Sequence, residues 1–448
     1  MALTGIEIFK KLPKTNCGEC GVPTCLAFAM KLAAGQAELA SCPHVSEEAK
    51  AELAEASAPP IRPVKIGVAD EAVTVGGETV LFRHEKTFMN PPGIAILISD
   101  AMDDAEVEAR IKKLEELQYD RVGLLLRANL AAAKCESGDG AKFEALVKKI
   151  VGGTKKPIVL ICDKPDVMAA AVKACADRKP LIYAATKENA DVMANLAKEN
   201  SCPLAVRAGT LSELAELTER LAKAGVQDLV LDPGSRKVRD AFEDEVIVRT
   251  SALVKKFQPL GFPTITFPCE MTDDPMKETM IAAAFIAKYA GVIVMSDLAG
   301  ETLFPLLLAR MNIYSDPQRP MATKEGIYEI GGPGEDSPVL ITSNFSLTYF
   351  IVTGETETSR VPAWLLVKDT EGLSVMTAWA AGKFVADAIA PFIKKCGIED
   401  KVKHRKIVIP GYAAAISGEL DEELPDWEVQ IGPREAAHIP AFLKQWQP

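Results

Sequence analysis

Cys17, Cys20, Cys25 and Cys42 stand at the spacing C-x2-C-x4-C-x16-C, and the next cysteine is Cys135. Three sulfurs on one short loop with a fourth from further along is the arrangement that surrounds an iron-sulfur cube, whereas structural zinc usually takes two separated C-x2-4-C pairs. The spacing therefore predicts a 4Fe-4S cluster on these four residues, with a zinc site and plain thiols as the other readings. Gly18 and Gly21 let backbone N–H groups approach the sulfurs, and Pro43 after the last cysteine fits the same pattern. Cys135, Cys162, Cys175, Cys202, Cys269 and Cys396 show no ligand spacing and read as buried thiols.

Histidine is scarce. Only His44, His84, His404 and His438 occur, none paired at helical or strand spacing, which argues against a His-rich metal site and against Ser-His or Cys-His nucleophilic catalysis. His44 reads as a surface side chain, although its place beside Cys42 would let it tune a cluster. Carboxylates close several apolar runs, at Ser99-Asp100, Asp163, Asp232-Pro233, Glu270 and Ser296-Asp297. Such positions hold active sites in catalytic barrels, but carboxylates there also cap the next helix, and that structural reading is favoured.

The elements that would position these residues change character twice along the 448-residue chain. Residues 1–57 are rich in cysteine and alanine with a helical pattern, and a Pro-rich linker, "ASAPPIRPVKIG", opens the stretch 58–92. Residues 64–90 could add short strands around "VGGET". From Gly93, runs such as "GIAILIS", "RVGLLL", "PIVLI", "PLIYAA", "PLAVRA", "DLVLDP", "PTITF" and "GVIVMS" alternate with helical-period segments. Eight strands and eight helices predict a (β/α)8 TIM barrel over 93–318, with an open doubly wound sheet as the alternative. Residues 319–448 carry a second rhythm, with strands at "PVLIT", "YFIV", "WLLVKD", "KIVIP" and "WEVQI", each followed by a loop rich in Gly, Ser, Thr or Pro. The expected fold is thus α/β: a small helical cluster domain, a barrel, and an open Rossmann-like sheet, whose strand-end loops are where such sheets bind ligands.

Composition narrows the partners. There are 51 Lys and Arg against 62 Asp and Glu, a formal charge of -11, with neither sign concentrated in a block, so neither nucleic acid nor an anionic membrane is expected to bind. The longest apolar stretch, "MIAAAFIAKYAGVIVM", is broken by Lys288 and too short to span a bilayer comfortably, and a cytoplasmic protein with reduced thiols is expected.

The order of these parts, with "TNCGECGVPTCLAFAMKLAAGQAELASCP" first and "KDTEGLSVMTAWAAGKF" in the last domain, resembles the large (gamma) subunit of the corrinoid iron-sulfur protein of the acetyl-CoA pathway over essentially the whole chain. The resemblance implies that Cys17, Cys20, Cys25 and Cys42 ligate the cluster and that the C-terminal loops hold a corrinoid. It implies a methyl carrier within a methyltransferase system. The cobalt would accept a methyl group from methyltetrahydrofolate as Co(I), through a separate methyltransferase, and deliver it as methyl-Co(III) to acetyl-CoA synthase/CO dehydrogenase. The cluster, fed by a low-potential donor such as ferredoxin, would repair Co(II). The Asp-x-His-x-x-Gly motif that places histidine under cobalt in many cobalamin proteins is missing, so the corrinoid is expected base-off. A small subunit would complete the pocket as a heterodimer.

Within the C-terminal domain the corrinoid is expected across the loops at 340–346, 369–375, 410–416 and 431–434. The candidate contacts are Leu340, Thr342, Ser343, Asn344 and Ser346 in the first loop, and Thr370, Glu371, Gly372, Leu373 and Ser374 in the second. Gly411 in the third and Gly432 and Pro433 in the fourth complete the set. Two other functions fit the same residues: an electron-transfer subunit without corrinoid, and a methyltransferase binding a pterin in the barrel near Asp100, Asp163 and Asp232.

Overall fold

The computed structural model describes residues 5–33, 37, 39–46, 49, 59–121 and 124–448. The boundary expected near residue 57, and Val122 and Gly123 of "RVGLLL", lie outside the described residues. The chain divides into two compact units, one made of Met1–Leu81, Met89–Glu116 and Ala128–Arg310, the other of Phe82–Phe88, Leu117–Arg127 and Met311–Pro448.

Two helices open the first unit, Gly5–Lys11 and Cys25–Ala33. They bury Ile8, Leu12, Phe28 and Ala29 together with Val22, Val45, Cys25 and Cys42, so two of the four cysteines are part of the core that holds this region together. A short antiparallel hairpin follows, β1 (Val64–Ile66) with β2 (Val73–Val75).

The barrel is built from eight parallel strands: β3 (Gly93–Ser99), β6 (Leu130–Lys134), β7 (Ile158–Ile161), β8 (Leu181–Ala185), β9 (Leu204–Arg207), β10 (Leu229–Asp232), β11 (Ile265–Thr266) and β12 (Val292–Met295). An α-helix follows each of them, from Asp104–Glu116 after β3 to Gly300–Ile313 after β12. Pairing runs in the order β10-β9-β8-β7-β6-β3-β12-β11, and the ring closes between β10 and β11 by one parallel bridge, Leu231 to Thr264. Alternate side chains fill the interior, among them Ala95, Leu130, Ala132, Val159, Ile161, Tyr183, Val230 and Phe267. Val64, Ile66 and Val75 of the hairpin join the same core. Backbone bonds from Arg62 to Gly261 and from Gly67 to Lys179 hold it against loops that precede strands, so part of the stretch expected as a linker plugs the N-terminal end of the barrel.

One barrel strand differs from expectation. "RVGLLL" supplies parts of β4 (Gln118–Arg121) and β5 (Leu124–Arg127), an antiparallel hairpin that belongs to the second unit, where Arg121 lies 4.3 Å from the centre of the Phe350 ring. The barrel position is taken instead by the alanine-rich β6, registered between β3 and β7 through Ala95–Leu130 and Ala131–Ile158. Small residues suit it because Ala131, Ala132 and Ala133 are fully buried, on both faces of the strand.

The C-terminal sheet runs β13 (Gly326–Ile330), β15 (Ala363–Lys368), β14 (Val339–Ser343), β16 (Lys406–Ile409), β17 (Glu428–Ile431), parallel except for the edge strand β13. "YFIV" is not a strand. It lies in the helix Ser346–Ser359, whose Tyr349 and Val352 pack on one face of the sheet, while Trp364, Leu366, Ile389, Ile393 and Ile409 form the core on the other. The strand that the sequence reading lacked is β13. Among the described residues no helix is long and apolar enough to cross a membrane.

Candidate cofactor sites

The cysteine loop owes its path to three residues in the left-handed region, Asn16 (φ 50°), Gly18 (φ 77°) and Gly21 (φ 76°). Glycine reaches that region without strain and asparagine more easily than most side chains. The Gly21 N–H closes the turn on the Gly18 carbonyl at 2.9 Å. Asn16 then locks the loop to the second helix: its Oδ1 accepts the Cys25 N–H at 2.8 Å and its own N–H points at Cys25 Sγ at 3.4 Å. A backbone N–H aimed at sulfur is the contact that stabilises negative charge on a cluster thiolate. Cys42 follows a single 3-10 turn, its N–H donating to Leu39 O. All four cysteines are free thiols; Cys17 is exposed, Cys20 half-buried, Cys25 and Cys42 buried. A thiol-only donor set graded from surface to core fits a cluster better than it fits a disulfide framework. Glu19, which the sequence reading passed over, stands 3.1 Å from His44 Nε2 at the exposed rim.

The second site is a cavity of about 270 Å3 at the strand ends of the C-terminal sheet. Of the residues expected there, Leu340, Thr342, Ser374, Gly432 and Pro433 line it, together with Thr348, Ile351, Val352, Val375, Met376, Val408, Tyr412, Arg434 and Ile439. The lining is mostly apolar. Thr342 Oγ1 is buried without a partner, as is the Ser343 hydroxyl beside it, and Phe345, which starts the helix Ser346–Ser359, offers no side-chain cap. Orphaned hydroxyls beside an uncapped helix start are what a polar group of a bound molecule would satisfy.

Other expected contacts hold the loops instead. Asn344 Oδ1 accepts from Thr370 N at 3.0 Å and Gly372 N at 2.9 Å and lies 2.9 Å from Thr370 Oγ1, while its Nδ2 donates to Asp369 at 2.8 Å. The Thr370 hydroxyl also lies 2.8 Å from the Leu373 carbonyl, and Ser346 Oγ donates to Met321 O at 2.5 Å. Glu371 is exposed and paired with Lys383. Gly372 (φ +76°) and Gly411 have no space for a side chain: a Cβ would come within 2.8 Å of Pro320 O and 2.6 Å of Gly432 O, respectively. These two glycines therefore permit backbone against backbone. The β-rich pattern of "YFIV" conceals Thr348 and Val352, which the helix Ser346–Ser359 carries to the cavity.

The barrel's strand-end carboxylates are committed to internal partners. Asp100 accepts from Glu136 N, Ser137 N and Ser137 Oγ at 2.6–2.9 Å; burial works against its charge, but these bonds prevail and hold its carboxyl below the ordinary value. Asp232 receives Tyr183 Oη and two N–H groups of Arg236, and Arg236 Nε turns to Glu270 at 2.6 Å. Burial, and then the Asp232 charge, drive the Tyr183 hydroxyl well above its usual range. Asp163 pairs with Arg207 at 3.0 Å and Asp297 with Lys113 at 2.6 Å. The helix caps come from neighbours, Asp139, Thr210 and Asp274. The expected caps are thus locks between strand-end loops. A cavity of about 720 Å3 lies beside them, bordered by Arg207, Arg236 and Glu270.

A family model described as "CO dehydrogenase/acetyl-CoA synthase delta subunit" matches residues 63–443, and a second, for an Fe-S cluster, matches residues 12–44. The corrinoid/iron-sulfur protein large subunit of Moorella thermoacetica is 47% identical over 444 residues, covering 99% of each chain. The acetyl-CoA decarbonylase/synthase complex subunit gamma of Methanopyrus kandleri is 37% identical, covering 99% of this chain and 98% of its own. Among solved structures, dihydropteroate synthase from Xanthomonas albilineans in complex with 7,8-dihydropteroate covers 56% of this chain and 100% of its own, at 16% identity and a TM-score of 0.39, a likeness too slight to carry an inference.

Proposed function

This chain belongs to the CO dehydrogenase/acetyl-CoA synthase delta subunit family, and on that footing we propose that it is a methyl-group carrier of the acetyl-CoA pathway. The methyl group would come from methyltetrahydrofolate through a separate methyltransferase and leave to acetyl-CoA synthase. The observation that carries this reading is the presence, in one chain, of a four-thiol set and of an apolar cavity, with the orphaned Thr342 hydroxyl in its wall, at the strand ends of an open α/β sheet.

A corrinoid held there, base-off, supplies the cobalt centre that takes up and gives away the methyl group. A 4Fe-4S cluster on Cys17, Cys20, Cys25 and Cys42 supplies low-potential electrons, received from a donor such as ferredoxin, that reactivate oxidised cobalt. The chain's own residues bind and orient. Leu340, Val352, Val408 and Ile439 offer an apolar slot that excludes water and suits a detached lower base; Thr342 offers its hydroxyl to the polar part of the same ligand. Asn344 keeps the first two loops in register, and Gly411 lets the third loop close on the fourth. Of the residues that line the cavity, Ile351, Met376 and Tyr412 are exposed, an apolar rim that a small subunit would cover in a heterodimer. The barrel supports this reading over a pterin-dependent methyltransferase, because Asp100, Asp163 and Asp232 already have partners.

An ultraviolet-visible spectrum of the anaerobically purified protein tests the proposal. Corrinoid bands of the base-off type should appear with the broad absorbance of a cluster. Cluster absorbance without corrinoid, in protein made together with its small subunit, would leave an electron-transfer subunit instead.

A further inference from the structure

The exposed rim of the cysteine loop carries a second set of metal-type donors. Cys17 Sγ, a Glu19 carboxylate oxygen and a His44 ring nitrogen lie within 4.8 Å of one another, the only such trio of Cys, His or acidic donors among the described residues. The backbone brings them together from two segments. On one side the left-handed turns at Asn16, Gly18 and Gly21 carry Cys17 and Glu19. On the other, His44 is set by its buried neighbours in the core, Cys42 and Val45. His44 Nε2 and Glu19 Oε2 are hydrogen-bonded at 3.1 Å, a separation that two ligands of one ion can also keep once the shared proton leaves, and all three side chains are exposed, so an ion can reach them from solvent.

One thiolate, one carboxylate and one neutral imidazole make a borderline donor set whose two negative charges balance a divalent cation. Magnesium and calcium prefer oxygen alone, whereas Fe2+, Co2+ and Zn2+ accept mixed sulfur, nitrogen and oxygen ligands at about 2.0–2.3 Å. We propose that, in the chain without its cluster, Cys17, Glu19 and His44 bind one divalent ion of this borderline class. The site rests on the observed trio and goes beyond the carrier function. Because Cys17 belongs to both sets, the ion and the complete cluster exclude each other. Ferrous ion there would be positioned as the first iron to arrive, and zinc there would obstruct cluster assembly.

The test uses the full-length chain, prepared free of iron and titrated anaerobically with Co2+, whose thiolate-to-metal absorption grows with the number of sulfur ligands. One Co2+ per chain is expected, with the intensity of a single thiolate. His44→Ala and Glu19→Ala should each weaken Co2+ binding about ten-fold or more. Both variants keep the four cysteines and should still take up a full complement of iron and sulfide on reconstitution, which shows that the loop folds. Absorption with the strength of several thiolates, binding unchanged in both variants, or no Co2+ binding would each overturn the proposal. Failure of the unmodified chain to assemble a cluster would instead count against the four-cysteine site, leaving the Co2+ result to be read on its own.

Discussion

Asn344 shows how much of the C-terminal site is held by single side chains. Its amide serves two buried backbone N–H groups and stands beside a buried hydroxyl, so Asn344→Ala would strand these groups in the interior. The expected cost is about 3 kcal/mol, read from urea unfolding of the full chain. Thr342→Val separates ligand contact from folding. The Thr342 hydroxyl has no partner, so its removal should leave the corrinoid-free chain equally stable or about 1 kcal/mol more stable, while corrinoid is retained less well. A clear loss of stability with unchanged retention would place that hydroxyl in the fold instead. At the other end of the chain, Cys20→Ala should lose the cluster or reduce its nuclearity while corrinoid content persists, checked by iron, sulfide and cobalt analysis of one preparation. The cysteines were legible in the sequence because a ligand set is written in spacing. Asn344 and Gly411 were found as positions but not as roles, since which partner a side chain chooses depends on loops brought together only by folding.

The elements that were misread share a cause. "RVGLLL" and "YFIV" have strong β-propensity, yet one became a hairpin outside the barrel and the other a helix, while "LAAAK", with weak propensity, forms a central strand. Burial on both faces rewards small side chains where neighbours press close, and tertiary packing overrides local preference. The closure of the barrel, expected from the count of eight strands and eight helices, falls between β10 and β11 beside a buried carboxylate. Glu245 is buried there, with one oxygen accepting the Thr264 hydroxyl at 2.7 Å and the other without a partner. Burial, against the help of Thr264 and with Asp232 and Asp244 nearby, pushes its carboxyl up to about 8 from an ordinary value of 4.5. The folded state therefore holds a proton that the unfolded chain releases above pH 4.5. Stability should fall by up to about 1.4 kcal/mol per pH unit as pH rises from there towards 8, then level off as Glu245 ionises in the folded state too. Thermal unfolding across this window should show a shallower decline in Glu245→Gln. A profile identical to that of the unmodified chain would mean that Glu245 is already ionised in the fold.

The whole molecule combines two units, and each of the two candidate cofactor sites lies within one of them, the thiol loop in the first and the strand-end cavity in the second. This division fits a carrier in which electron supply and methyl transfer are separate tasks. The exposed apolar rim at Ile351, Met376 and Tyr412 is expected to disappear against a small subunit, so co-expression should yield a stable heterodimer by light scattering. A monomer with full corrinoid content and normal methyl transfer would contradict that. The protein itself is expected to carry the methyl group. The most direct test is to reduce the anaerobic protein, with its small subunit, and mix it with the methyltransferase and methyltetrahydrofolate labelled with carbon-13 in the methyl group. Nuclear magnetic resonance of the re-isolated protein should show a labelled methyl equal in amount to the corrinoid, and acetyl-CoA synthase should then remove it. Corrinoid-loaded, reduced protein that acquires no label, or label that acetyl-CoA synthase cannot remove, would mean that the methyl group does not travel on this protein.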